Sequence, residues 1–189
     1  DYFIYSEDDT LFNLKNFKYW LRFKKICNKK NYNVGFLRTE KSPVDNSLWT
    51  TDQFFQLDEY VIINKKKYIV LKNPYYAMWI YDKKDFNSFI NSKFWNLYNW
   101  RGMNSFTKLY DREKSAVGWH GLNMDKYSAT IIPLKNNKVL KDSLIGHSSN
   151  KYVKERGRIH VSLKNLMKKE LIKHRVIKYS KIQLFLKEL

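Results

Sequence analysis

Three observations predict an α/β fold for this chain of 189 residues. Tyr2–Ser6 reads as a buried apolar strand, Phe12–Lys29 carries a helical apolar stripe, and Val34–Glu40 reads as a second strand that follows the helix at once. Strand, loop, helix and strand in succession is α/β organisation, because the helix must cover a sheet face. The first strand runs into three consecutive carboxylates, Glu7, Asp8 and Asp9. Open α/β sheets bind ligands outside the carboxyl ends of their strands, so acids there are placed to hold a divalent cation.

The helical stripe consists of Leu14, Phe17, Trp20, Leu21, Phe23 and Ile26 among lysines, and its start follows the acids directly. After the second strand, Ser42–Asp52 is a polar connection. Glu59–Ile63 and Lys67–Leu71 flank Asn64-Lys65-Lys66, which has the length and polarity of a β-hairpin. Asn73–Trp100 is dense in aromatic residues, which build core but also wall sugar and nucleotide pockets. Short helices are expected over Asp82–Asn91 and Asp111–His120, the latter with acids in its first turn. Tyr127–Leu134 reads as a strand stopped near Pro133, and Val139–Ile145 is a short apolar stretch leading to Gly146-His147. From Ser162 to Leu189, apolar residues alternate with lysines as a basic amphipathic helix or a broken pair. That segment has three uses open to it: packing on its own core, docking on a membrane surface, or binding a partner chain. The sequence therefore divides into residues 1–160, one domain, and 161–189, a basic C-terminal helical segment.

Composition restricts the function classes. The single cysteine, Cys27, excludes an internal disulfide framework and agrees with a reducing compartment, and no Cys/His spacing suggests structural zinc. The expected localisation is cytoplasmic, with peripheral attachment at the inner face of a membrane allowed by the charge. The formal net charge of +18 points toward phosphate-bearing partners or an anionic membrane surface. Lysine outnumbers arginine 29 to 7, however, and arginine supplies the planar fork that matches base edges and phosphates. With no RNA-binding aromatic signature or helix-turn-helix spacing, the composition argues against nucleic acid.

The stretch Tyr2-Phe3-Ile4-Tyr5-Ser6-Glu7-Asp8-Asp9 resembles the strand and Asp-x-Asp-type motif of nucleotide-sugar glycosyltransferases of the GT-A fold, in the form Glu-Asp-Asp. The helix with Trp20-Leu21 and the strand ending Phe36-Leu37-Arg38-Thr39-Glu40 are similar to uncharacterised bacterial members of that kind, over most of residues 1–152. The resemblance implies a partial GT-A-like, Rossmann-like mixed sheet flanked by helices. It implies a Mn2+ or Mg2+ cofactor and transfer of a sugar from a nucleotide-diphosphate donor to a saccharide or lipid-linked acceptor. Asp9 would ligate the metal, and Glu7 would contact the ribose or a metal-bound water, with Asp8 nearby. His147 would complete the metal site, while Asn150 and Lys151 would reach phosphate oxygens. Read without the family, His147 is a surface histidine.

The resemblance also implies a catalytic base on the helix starting at Asp111, with Glu113 favoured over Asp111. Both acids equally suit a helix cap. Here the chain departs from the clearest GT-A pattern, Trp-Gly followed closely by Glu-Asp. Trp100, Trp119 and His120 are acceptor-pocket candidates on the same ground. GT-A enzymes hold the nucleotide base on strands that precede the acidic motif, so the chain is expected to be the metal and acceptor half of a longer enzyme, binding Mn2+ weakly and turning over no sugar nucleotide. Two other classes compete: a non-catalytic basic module for nucleic acid or anionic membrane, whose acids merely cap a helix, and a metal-dependent phosphoryl-transfer enzyme or nuclease using the same acids.

Overall fold

The computed structural model describes residues 1–50, 55–71, 75–93, 95–96, 110–118, 127–154 and 161–162. These form a mixed α/β fold with open sheets and few helices. In chain order the elements are β1 (Tyr2–Ser6), β2 (Thr10–Leu11), α1 (Leu14–Asn28), β3 (Tyr32–Val34), β4 (Leu37–Lys41), β5 (Leu48–Thr50), β6 (Phe55–Ile63) and β7 (Lys66–Leu71). They continue as β8 (Met78–Asp82), α2 (Lys83–Ile90), α3 (Asp111–Val117), β9 (Ala129–Lys135), β10 (Lys138–Val139), a 3-10 turn (Lys141–Ser143), β11 (Leu144–His147), α4 (Lys151–Lys154) and β12 (Val161–Ser162). Three sheets result: β1 with β8; β10-β9-β7-β6 with β3 added beside β9; and β12-β5-β4-β11-β2.

Helix α1 organises the core. Tyr19, Trp20, Phe23 and Cys27 recur at helical spacing and are all buried. They pack against Val34 from β3, Tyr68 from β7, Met78 and Ile80 from β8, Ile131 from β9 and Ile145 from β11. One apolar cluster thus joins strands from all three sheets. The helix begins with a capping box: the Asn13 side chain accepts from the backbone N–H of Lys15 and Asn16, and Asn16 Oδ1 accepts from Asn13 N–H. Such a cap is worth about 0.5–2 kcal/mol. No acid lies in the first turn. The acids at residues 7–9 therefore do not cap this helix, and β2 separates them from it.

Several expectations need correction. The first strand is not buried: β8 is its only strand partner among the described residues, and Tyr2 and Ile4 are about half exposed. The stretch Val34–Glu40 is not one strand. β3 pairs in parallel with β9, whereas β4 pairs in parallel with β11 and antiparallel with β5, so the chain changes sheets at Gly35-Phe36. The change brings Gly35 so close to β9 that a Cβ there would lie 2.4 Å from Thr130 Cγ2. The polar connection Ser42–Asp52 contains β5, and β8 lies unpredicted in the aromatic stretch. Pro133 does not stop β9. It falls between the residues that pair with β3 and those that pair with β10, where a missing N–H breaks no ladder on that side. The hairpin and the helices α2 and α3 form where expected, with a two-residue turn, Asn64-Lys65, in left-handed conformation at both positions. Most of the basic C-terminal segment lies outside the described residues, and its first residues, Val161–Ser162, pair with Trp49-Thr50.

Cys27 is fully buried, and burial pushes its thiol up to about 12. Only the thiolate reacts with disulfide reagents. The native chain is therefore expected to resist such a reagent at pH 8 and to react at once in 6 M guanidinium chloride; rapid native labelling would show that the face of α1 around Cys27 opens readily.

Candidate functional site

β1 delivers the acidic triplet to the end of a sheet. Glu7 N–H donates to Ala77 O at 3.0 Å, tying the triplet to the residue before β8. Glu7 is buried, and its Oε1 accepts from Tyr75 Oη at 2.7 Å. Asp8 is exposed. The chain then turns into β2, whose Thr10 pairs with His147 of β11. That register sets Asp9, one residue earlier, against the end of β11. Asp9 Oδ2 lies 2.8 Å from His147 Nε2, and Ser148 N–H donates to Asp9 O at 2.9 Å.

Glu40 holds the other side of the imidazole. Its Oε1 contacts His147 Nδ1, and its Oε2 accepts from Val153 N–H at 2.7 Å. Strand alternation explains the meeting: Ile145 pairs with Arg38, so His147, two residues on, shares a sheet face with Arg38 and Glu40. Both Glu40 and His147 are almost wholly buried, at 1% and 3% exposure, so His147 is not a surface histidine. Its ring stacks on Tyr152 at 5.2 Å. The Arg38 guanidinium, also buried, lies over the rings of Tyr152 and Tyr75 at 5.6 and 5.5 Å from their centroids. Tyr75, Arg38 and Tyr152 thus connect Glu7 to His147.

A neutral imidazole has one N–H and one lone pair. The row Asp9–His147–Glu40 allows two arrangements: an imidazolium donating to both carboxylates, or a neutral ring donating to Glu40 and presenting its Nε2 lone pair beside Asp9. The second is the usual orientation of a metal-ligating histidine, whose other nitrogen donates to a carboxylate. Two features of Asp9 fit a cation. Its Oδ1 is buried without a hydrogen-bond partner among the described residues, a costly state for a carboxylate oxygen. The 2.8 Å from Oδ2 to Nε2 is close to the roughly 3 Å between adjacent ligands of a small octahedral ion with bonds of about 2.1 Å. Among the described residues, no three His, Cys, Asp or Glu side chains converge as a fuller ligand set. A hard cation that also binds substrate phosphates needs only one or two protein ligands.

The other predicted residues are placed as follows. Asn150 adopts the left-handed conformation at φ 48°, and its Oδ1 accepts from Lys41 N–H at 3.0 Å, so its side chain anchors the turn after β11 to the end of β4. Lys151 opens α4, and its side chain lies outside the described atoms. Helix α3 packs on the first sheet, where Tyr5 Oη donates to Arg112 O at 3.3 Å and Trp79 Nε1 to Ser115 O at 2.9 Å. Asp111 is exposed and ion-paired with Lys114 of its own helix at 3.2 Å rather than with the Asp9–His147 row. The Glu113 side chain, and Trp100, Trp119 and His120 entirely, lie outside the described residues.

Sequence reasoning missed Glu40, Arg38, Tyr75 and Tyr152. The first two had a signal: a strand otherwise reading as buried carries charges two residues apart, hence on one face. A cleft of about 620 Å³ opens beside Tyr2, Trp20, Lys24 and Tyr127, toward the far end of β1 from the triplet. Both of its carboxylates are taken up by one lysine. Lys24 pairs with Asp82 and, at 2.7 Å, with Asp85, to which Tyr127 Oη also donates. Burial opposes ionisation of Asp82, but the Asp85 N–H and the Lys24 ammonium outweigh it and hold the carboxyl below its usual range. Burial and the neighbouring Asp85 push the Tyr127 phenol upward. These are the properties of a closed structural network. No family model, curated protein or solved structure matches this chain.

Proposed function

We propose that the Asp9–His147 pair is the metal–diphosphate end of a sugar-transfer site, and that the chain belongs to a metal-dependent glycosyltransferase with a GT-A-like arrangement. The observation that carries this reading is the row Asp9–His147–Glu40 with its orphaned Asp9 Oδ1. A strand-end acid and a histidine 138 positions later would hold the ion, Glu40 orienting the imidazole from behind. An imidazole ligand is better matched to Mn2+ than to the harder Mg2+. The metal would neutralise charge building on a departing nucleoside diphosphate. Glu113, with Asp111 as its alternative, is the proposed base for a hydroxyl of a saccharide or lipid-linked acceptor. The competing account of a non-catalytic basic module loses its explanation of the acids, since Asn13 caps α1.

Calorimetric titration of UDP, GDP and CDP, each with Mn2+ and with EDTA, tests the proposal. Binding of at least one diphosphate that requires Mn2+ is expected. Equal binding in EDTA, or Mn2+-dependent cleavage of nucleic acid without diphosphate binding, would overturn it.

A further inference from the structure

Among the described residues, a second concentration of charge, almost wholly positive, lies away from the acids. The hairpins β6–β7 and β9–β10 turn through Asn64-Lys65 and Asn136-Asn137, and all four residues are left-handed, the tight turn that favours asparagine. Tyr68 pairs with Pro133, and continuing that register sets Lys66 opposite Lys135. Both hairpin tips therefore leave the sheet at one end. There they face Lys18 and Arg22 of α1 across a groove of about 720 Å³, with Lys141 closing it. Seven cationic side chains line the groove, and Asp142 is its one acid.

Like charges directly opposite on paired strands repel and destabilise a sheet. A cluster of this kind is electrostatically matched to an anionic partner. The chemistry of the cluster selects among anions. Six of its seven cations are lysines and one is arginine, so it offers mobile point charges on four separate elements rather than forks converging on a base or a single phosphate. Around the hairpin tip, on the sheet face turned away from α1, the surface becomes apolar: Lys67 pairs there with Ile62, which is 66% exposed, and lies 4.0 Å from the ring centroid of Tyr60, which is 44% exposed. An array of lysines bordered by an exposed isoleucine and a tyrosine matches a lipid surface, where lysines meet anionic headgroups and aromatic rings settle at the interface.

We propose that this groove and the neighbouring Tyr60–Ile62 surface dock the chain on anionic phospholipid headgroups. The proposal stands apart from the sugar-transfer reading and holds whether or not Asp9 binds a metal. The two sites are separated by β11, which starts at Leu144, two residues after the groove's Asp142, and ends at His147, about 10 Å along the strand.

Flotation of the full chain with vesicles of 70% phosphatidylcholine and 30% phosphatidylglycerol, against pure phosphatidylcholine, tests it. Binding only to the anionic vesicles, weakening as salt rises, is expected. Each basic side chain near such a surface strengthens binding about fivefold. The double variant Lys66→Glu/Lys135→Glu should therefore bind at least 25-fold more weakly, with an unchanged circular dichroism spectrum. The same charge change on α2, Lys83→Glu/Lys84→Glu, should cost less than fivefold. Equal losses in the two variants would reduce the effect to net charge. No loss in the first would move it to another surface, residues 163–189 included. Tighter, groove-dependent capture of a single-stranded DNA probe than of vesicles would make the ligand a nucleic acid. Each of these three results overturns the proposal, as does wild-type binding to pure phosphatidylcholine.

Discussion

Asp9→Asn is expected to abolish measurable Mn2+ binding, a loss of at least about 100-fold, while leaving the thermal midpoint within a few degrees of the parent. The substitution keeps the shape of the side chain and exchanges a carboxylate for an amide that is both a poorer ligand and uncharged. The Asp9 backbone carbonyl, which accepts from Ser148 N–H, is untouched by the substitution, and an asparagine Oδ1 or Nδ2 can still sit against His147 Nε2. His147→Ala should lose binding to a similar extent, but with a stability loss as well, because the ring is buried, stacks on Tyr152 and fills the space in front of Glu40. Glu40→Gln separates the roles further. An amide can still accept from either Val153 N–H or the imidazole but no longer carries the charge that favours the ligating orientation. Loss of such an outer partner weakens metal binding by about 10–100-fold rather than removing it. The order Asp9→Asn, then Glu40→Gln, then parent, read by Mn2+ titration, is the expected outcome. A Mn2+ affinity that Asp9→Asn leaves unchanged would mean that the row is an imidazolium bridging two carboxylates, a structural tie and nothing more.

What the residues revealed in advance, and what they withheld, follows from the range of the interactions. Helix α1 was legible because apolar residues recur at local helical spacing, although of the expected stripe only Trp20 and Phe23 are buried, Leu14 and Leu21 are exposed, and Tyr19 and Cys27 take their place in the core. The β6–β7 hairpin was legible because its turn is local chemistry at Asn64-Lys65. The break at Gly35-Phe36 was not. β3 and β4 belong to different sheets because of parallel partners, β9 and β11, about 100 residues away, and an apolar run carries no mark of which partner takes which part. β8 was hidden for a related reason, since Trp79 and Tyr81 suit a strand and a pocket wall equally. In the candidate site, Asp9 and His147 were joined only by the family resemblance, and their contact comes from the β2–β11 register. Glu40 was overlooked because a carboxylate at the end of a strand looks like solvated surface, whereas Val153 and His147 enclose it here. The capping explanation of the acids failed on one detail: β2 and Asn13 intervene before the helix starts.

The same change of sheets makes Phe36 a position where truncation should be costly. Its side chain is fully buried where the chain leaves β3 and enters β4, with Phe12, Tyr19 and Tyr76 at 5.7, 5.4 and 5.6 Å between ring centroids. Tyr19 also fixes the backbone there, donating from Oη to Gly35 O at 3.0 Å. Removing the Phe36 ring forfeits its transfer free energy, leaves a cavity bounded by α1 and two sheets that cannot close independently, and breaks three aromatic contacts. Phe→Ala substitutions in such surroundings cost about 3–5 kcal/mol, against a total stability of about 5–15 kcal/mol for a domain. With a urea dependence of about 2 kcal/mol per molar, the denaturation midpoint should fall by roughly 1.5–2.5 M. Val44→Ala, at a side chain 91% exposed, should move it by no more than about 0.3 M, because surface changes stay within about 0.5 kcal/mol. The functional consequence follows from β4, which carries Arg38 and Glu40. Phe36→Leu, which retains more volume, should fold yet loosen the strand that holds Glu40 against His147, weakening Mn2+ binding without touching a ligand. A midpoint shift below about 0.5 M for Phe36→Ala would show that the two sheets do not share this core.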